Sequence, residues 1–435
     1  MDGNPLKNSA LEKRLKRQVI GKARRFLAIV PLGFEQTFID ELDFLETDAA
    51  SDGKVEFTAK ITDAWKAVAY SRIANRILMH VADFKAENFR DLEKKAAEIP
   101  WELFLDGGGT EKVDIHVTCK HSRLYHSDAV AERIGKFLPS TGTPQNLFVT
   151  LIDDRCTLWL DLASEELYRR GHERFVNDAP LKETIAAAML SEAIKAALGP
   201  AQSGADPSDE PPKKITLIDP MAGSGTFSLE AAYIAQGLIP GICRDFALKH
   251  QPAFKEATWN YITGHAPSAS RRCQLARIIT SDISEKAIAI IRHNVENSPL
   301  ATIAPSGPAP TIDPQLKDFF DYTAAKIASA CPGASQPVIV LNPPYGKRLD
   351  FDAPRLYTRI GRRLAELARA LSPLHKALTV AILAPKDDTR PGSKYTCTAN
   401  LLRECPALDP DKNAEAKSIA TSHGGFALNA IIARI

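Results

Sequence analysis

The apolar run Val338-Ile339-Val340-Leu341 ends abruptly in Asn342-Pro343-Pro344-Tyr345-Gly346, and this junction restricts the chain more than any other stretch. The apolar residues read as a strand buried on both faces. Two successive prolines then stop it, because neither can donate to a β ladder and both fix φ. An amide side chain, a carbonyl and an aromatic ring are thereby held at a strand's carboxyl end, where open α/β sheets carry their chemistry. Such a group can grip a planar ligand bearing an amine. Taken alone, the same residues also fit a rigid turn with no chemistry.

The surrounding sequence alternates strand and helix patterns from Ile215 onward, which predicts an α/β sheet. Ile215 to Ile218 reads as a strand, Asp219-Pro220-Met221-Ala222-Gly223-Ser224-Gly225-Thr226 as a turn, and Phe227 to Gln236 as a helix. Further strands are expected at 278–281, 338–341, 378–383 and 427–433, with helices at 285–297 and 354–371. In the last helix Leu356, Ile360, Leu364, Leu367 and Leu371 form a core stripe. The stretches 239–270 and 299–335 read as insertions, and Gly199 to Lys214, rich in Pro, Gly and Ser, as a mobile surface connection.

Three places in this half suit a nucleoside. Gly223 and Gly225 let the backbone approach a ligand, and the next helix offers free N–H groups. Ser228 stands where a dinucleotide fingerprint has its third glycine, which leaves NAD and other nucleosides open. Asp282, at the end of the second strand and followed by Ile283, can accept both hydroxyl protons of a ribose or cap the next helix. Asp318 and Phe319 can bind an adenine amine and cover its face, or form a loop acid beside a core ring.

The front half has a different grain. Strand-like and helical pieces alternate irregularly from Phe26 to Leu160, as in an α+β domain. Residues 1–25 hold eight Lys or Arg against two acids, a solvated basic tail or a nucleic-acid contact arm. Tyr168-Arg169-Arg170-Gly171-His172 reads as a basic turn, followed by a helix start at Asn177-Asp178-Ala179-Pro180. With 435 residues and 44% hydrophobic content, two or three domains fit. No apolar run reaches membrane-spanning length, and the amino terminus lacks a signal peptide's apolar core. Seven scattered cysteines without paired spacing argue against a zinc site and for a reducing, cytoplasmic compartment.

Asp-x-x-x-Gly-x-Gly, a strand-terminal Asp and Asn-Pro-Pro-Tyr together resemble the S-adenosylmethionine-dependent class I methyltransferases that modify exocyclic amines. The segments Phe26 to Glu35, Tyr168 to His172 and Ala179 to Thr184 narrow this to the THUMP-domain RNA methyltransferases. The resemblance covers most of 26–435 and is nearest to bacterial enzymes making N2-methylguanine in 23S ribosomal RNA. It departs at the two insertions and at Asn177-Asp178, where the family carries Gly-Glu.

The resemblance implies a Rossmann-like class I methyltransferase domain (166–435), preceded by an α+β ferredoxin-like part (26–72) and a THUMP RNA-binding domain (73–165); the basic flexible tail (1–25) lies outside the match. Asn342 and the Pro343 carbonyl would accept hydrogen bonds from the target amine, Pro344 would stiffen the turn, and Tyr345 would stack on the base. Asp219, Ala222, Gly223, Ser224, Gly225, Thr226, Asp282, Ile283, Asp318 and Phe319 would bind S-adenosylmethionine. Arg169 and Arg170 would meet RNA phosphate; Lys347 and Arg348, directly after the Asn-Pro-Pro-Tyr-Gly turn, are placed for a phosphate or form a solvated surface pair. Guanine N2 is the expected acceptor, in ribosomal RNA or alternatively transfer RNA. Adenine N6 and a protein glutamine amide are rivals, and an RNA-binding scaffold is the reading outside enzymes.

Overall fold

The computed structural model describes residues 5–177, 180–199, 214–264, 275–303, 310–345, 352–388 and 396–435. Asp178, Ala179, Lys347, Arg348 and nearly all of the expected connection at 199–214 lie outside them. The chain forms two compact units, Met1–Val30, Phe38–Gly171 and Gly241–Ala266 in the first, and Pro31–Thr37, His172–Pro240 and Pro267–Ile435 in the second.

The first unit is built on β1 (Arg24–Ile29), β2 (Thr47–Ser51), β3 (Lys54–Ala59), β4 (Arg76–Lys85), β5 (Asp114–Lys120), β6 (Asn146–Ile152) and β7 (Arg155–Asp161). They form one sheet in the order β2-β3-β1-β4-β7-β6-β5, antiparallel except for β5 and β6. Alternation makes β6 a strand: Leu147, Val149 and Leu151 point inward. Asp153 and Asp154, both at positive φ, then reverse the chain into β7 with the hand that suits a hairpin.

Two expectations fail in this unit. The basic tail is not free: Pro5–Leu15 is helical and continues through a wider turn, Lys16–Ile20. Leu15 and Val19, four residues apart, bury together and anchor it, and Arg14 meets Glu102 at 2.6 Å. Residues 241–264, read as an insertion in the catalytic sheet, pack here. Arg244 is nearly buried and donates to the carbonyls of Ala163, Glu165, Glu166 and Arg169. Phe246, Phe254 and Trp259 add an aromatic cluster.

The second unit holds β8 (Ile215–Asp219), β9 (Leu275–Asp282), β10 (Pro314–Leu316), β11 (Gln336–Leu341), β12 (Thr379–Pro385), β13 (Ala416–His423) and β14 (Phe426–Arg434). Their order is β10-β9-β8-β11-β12-β14-β13. The first five run parallel and β14 antiparallel between β12 and β13. β8 and β12 are buried at every residue, as the continuous apolar runs require. The helix Ala353–Leu371 seals one face of the sheet with Ile360, Leu364, Leu367 and Leu371. Each such side chain contributes about 1.5–3 kcal/mol by leaving water. No helix among the described residues is long and apolar enough to cross a membrane.

β10 lies inside 299–335, so that stretch supplies a strand of the sheet as well as loops. Like the helix Cys397–Glu404, β13 is another element absent from the sequence reading. It is an edge strand exposing a mostly polar face, and it is tied to β14 through Gly424-Gly425 at positive φ. Gly33 packs on this strand; a Cβ there would sit 2.3 Å from the Ala420 carbonyl oxygen.

Candidate active site

The chain switches direction across the sheet between β8 and β11, and the candidate residues collect at the carboxyl ends of the strands there. Asp219 closes β8, Asp282 closes β9, Asp318 follows β10 and Asn342 follows β11. One crevice edge therefore receives four polar side chains from four parallel strands.

Each glycine of the turn has its own reason. Gly225, at φ +79°, faces Ile291, whose side chain lies 3.2 Å from where a Cβ would stand. Gly223, at φ +56°, opens onto empty space that any side chain would fill. Its N–H donates to Asp282 Oδ2 at 2.9 Å, while Asp282 Oδ1 accepts from the Ser284 N–H at 2.9 Å. Asp282 thus ties the turn to β9, and Ser284 caps the following helix with its own side chain. Ile283 is 71% exposed and Leu316, whose backbone pairs with Asp282, is 55% exposed. Two apolar side chains held in water beside a ribose-sized acceptor suit the flat face of a base.

Asp219 lies beneath the turn. Its Oδ2 accepts from the Ser228 N–H at 3.2 Å and from Ser228 Oγ at 2.8 Å, so a strand end satisfies the first turn of the helix Thr226–Gln236. Ser228 Oγ also meets Thr280 Oγ1 at 2.8 Å. The residue read as a missing glycine is a hydrogen-bond hub, which separates this turn from the dinucleotide pattern. Burial pushes the Asp219 carboxyl up to about 7, opposed by the Ser228 bonds and reinforced by the Asp282 charge. Asp219 Oδ1 is buried with no partner among the described residues.

The strap at 173–177, absent from the sequence reading, holds the same turn. Arg174 pairs with Glu183 and donates to Thr226 Oγ1 at 2.6 Å. Asn294 Nδ2 reaches the carbonyls of Phe175, at 2.9 Å, and Ser224, at 3.0 Å. Ser224 and Ala222 are buried in the turn itself.

At the end of β11, Asn342 Oδ1 is buried without a partner among the described residues. Pro343 is buried and Pro344 exposed. The Tyr345 hydroxyl lies 3.2 Å from His423 Nδ1, and its ring meets Phe426 edge-on with centroids 5.9 Å apart. Burial, then the Lys182 charge, hold His423 below the usual imidazole range despite a bond to Pro180, so its ring is neutral at physiological pH. Both residues flank Gly424-Gly425, a doublet that signals a hairpin and could have led to them.

Two candidate roles do not survive. Phe319 is 1% exposed within the core, so its ring cannot cover a base; Asp318 beside it accepts from the Phe320 N–H at 3.0 Å. Arg170 is 4% exposed and donates to the carbonyls of Leu167 and Arg72, which makes it a strut and not a phosphate contact. Arg169 is exposed, 3.7 Å from Glu165. Among the described residues no three His, Cys, Asp or Glu side chains gather to hold a metal ion.

An RMKL-like methyltransferase domain family matches residues 170–382, an RlmL ferredoxin-like domain 25–78 and a THUMP domain 86–161. This chain belongs to the THUMP-domain class I methyltransferases. Among its relatives, the ribosomal RNA large subunit methyltransferase K/L of Syntrophotalea carbinolica is 32% identical over 78% of this chain and 47% of its own. YpsC of Bacillus subtilis, named as an RNA methyltransferase, is 28% identical over 75% of this chain and 80% of its own. The chain spans about half the length of the K/L relatives it matches. SMU.472, a methyltransferase complexed with SAH, shares the fold with a TM-score of 0.70 at 22% identity, over 95% of this chain and 98% of its own.

Methyltransferases of this class use S-adenosylmethionine, and the crevice fits it. The open space at Gly223, the unpartnered Asp219 oxygen, the Asp282 carboxylate and the exposed Ile283 match a ligand with a cationic end, a diol and a flat base.

Proposed function

We propose that this protein is an S-adenosylmethionine-dependent RNA methyltransferase whose acceptor is the exocyclic N2 of a guanine in large-subunit ribosomal RNA, acting in the cytoplasm. The observation that carries the reading is the buried Oδ1 of Asn342 at the carboxyl end of β11, which has no partner among the described residues. A buried acceptor is stable only when a donor reaches it, and an amine N–H is such a donor. When bound, S-adenosylmethionine supplies a methyl group on a cationic sulfur. Asp282 takes the ribose hydroxyls, Asp219 the cationic end, and Asp318 the adenine amine.

Asn342 Oδ1 and the Pro343 carbonyl hold the two protons of the acceptor amine. Their dipoles push electron density toward nitrogen and stabilise the positive charge that grows there, without a strong base. Tyr345 stacks on the target base after it leaves its neighbours, steadied by His423 and Phe426. Residues 26–72 and 73–165 select the RNA and the part of 166–435 that lies in the second unit performs the transfer, with Arg169, Lys347 and Arg348 as phosphate contacts.

Adenine N6 is the second reading, because Asn342 suits either exocyclic amine. Guanine N7 is disfavoured: it is itself an acceptor and has no N–H to donate to Asn342 Oδ1. The test is incubation of the full chain with deproteinised ribosomal RNA and labelled S-adenosylmethionine, followed by nucleoside mass spectrometry. Labelled N2-methylguanosine is expected. Label in N7-methylguanosine would overturn the assigned role of Asn342, and label in N6-methyladenosine the choice of guanine.

A further inference from the structure

The helix Ala353–Leu371 turns one side to the core and leaves another in water. On that second side Arg355, Arg359 and Arg362 line a groove of about 610 Å³ with Thr358, Thr396 and Asn400. Their spacing puts three guanidinium groups on one face, about 6 and 10.5 Å apart along the axis from the first. The helix begins at the catalytic end of the sheet: the Tyr357 hydroxyl, one turn in, donates to the Leu383 carbonyl near the carboxyl end of β12.

The charges are unevenly spent. Arg362 pairs with Glu404 at 3.2 Å, a carboxylate it shares with Arg403. Asp352, which also lines the groove, uses Oδ1 to cap the helix through the Arg355 N–H at 3.0 Å. Arg355 and Arg359 have no carboxylate partner among the described residues. Arg359 lies 4.0 Å over the Phe320 ring, on the turn that carries Asp318. Stacking engages the flat face of a guanidinium and leaves its in-plane N–H fork for an anion.

We propose that this groove binds the RNA backbone next to the target nucleotide, with Arg355 and Arg359 each taking one phosphate. The proposal rests on the RNA methyltransferase reading. A single free phosphate would satisfy one arginine of a row this long; a polyanion that continues along the helix satisfies the row. The helix that carries the groove starts on the strand-end side of the sheet, where the target base is proposed to enter, which puts the row within reach of the nucleotides beside it.

The experiment uses full-length wild type, the double variant Arg355→Ala/Arg359→Ala and its charge-keeping partner Arg355→Lys/Arg359→Lys. Binding of a fluorescein-labelled single-stranded RNA is followed by anisotropy across a salt series. Calorimetry with S-adenosylmethionine verifies the fold of each variant. Two lost contacts should flatten the slope of log affinity against log salt by about 1.4 in the Ala variant, at about 0.7 per phosphate on a single strand. The KM for ribosomal RNA should rise with kcat retained, and the Lys variant should recover the wild-type slope. An unchanged slope in the Ala variant, or a Lys variant as defective as the Ala one, overturns the groove alone. Wild type that neither binds nor methylates RNA overturns the functional reading and the groove with it.

Discussion

Asn342→Ala should move activity and stability in opposite directions. Among the described residues Asn342 Oδ1 is buried with no partner, and an unsatisfied buried acceptor costs roughly 1–3 kcal/mol. The side chain is only half-buried, so its truncation forfeits little packing. The unfolding transition of the second unit should therefore hold or rise, at about 2–4 °C for each kcal/mol recovered. Transfer should fall by about 10²–10³-fold, the loss of one preorganised polar contact, or about 2.7–4 kcal/mol of barrier. Single-turnover methylation with saturating RNA measures the first effect, a calorimetric scan the second, and S-adenosylmethionine titration checks the cofactor site. Wild-type transfer would remove Asn342 from the chemistry. Lost transfer with a transition several degrees lower would make Asn342 a structural residue and refute the reasoning from its unpartnered oxygen.

Asp282→Ala should weaken S-adenosylmethionine binding, since it removes an acceptor and frees the Gly223 N–H; an unchanged calorimetric affinity excludes it from the site. For Asp219 the folded carboxyl titrates near 7, above its ordinary value of 3.8, so the native state binds the extra proton and stability falls as pH rises between them. Asp219→Asn, which keeps an acceptor for Ser228, should gain thermal stability over wild type as pH rises from about 4 to 7, with no gain below that window; a pH-independent difference contradicts the assignment. Arg244→Met should destabilise the first unit by about 3 kcal/mol or more, because four carbonyls lose a buried cation, as read from the first unit's transition in a denaturant titration. Tyr345→Phe and His423→Ala should lower transfer to a similar degree if the hydroxyl–imidazole contact orients the ring, and a silent His423→Ala would show that Phe426 suffices.

The parts of the site written in neighbouring residues were legible from sequence. An apolar run cut by two prolines, a Gly-x-Gly turn and an acid closing a strand each carry their own geometry. What failed was set by distant chain. Nothing near Arg170 distinguishes it from Arg169; Arg244, some seventy residues on, claims the Arg169 carbonyl and closes this turn, whose glycine could not carry a Cβ beside it. Phe319 reads equally as a ring over a base or a core ring until it is seen clustered with the helix Ala353–Leu371. β13 has almost no apolar pattern of its own and is a strand because β14 pairs with it along eight residues. Ser228 was legible as a departure from a motif but not as the partner of Asp219 and Thr280, since that contact needs the sheet assembled.

The interleaving of the two units bears on how the chain is made. Domains generally fold in order as synthesis proceeds, at about 5–20 residues per second. Here the first unit still lacks Arg244, Phe246 and Trp259 when β8 and its glycine turn have already been synthesised. The amino-terminal part must therefore wait, unfinished, while the second unit begins to form, and a nascent chain halted before residue 241 should remain open to protease in segments that the complete protein protects.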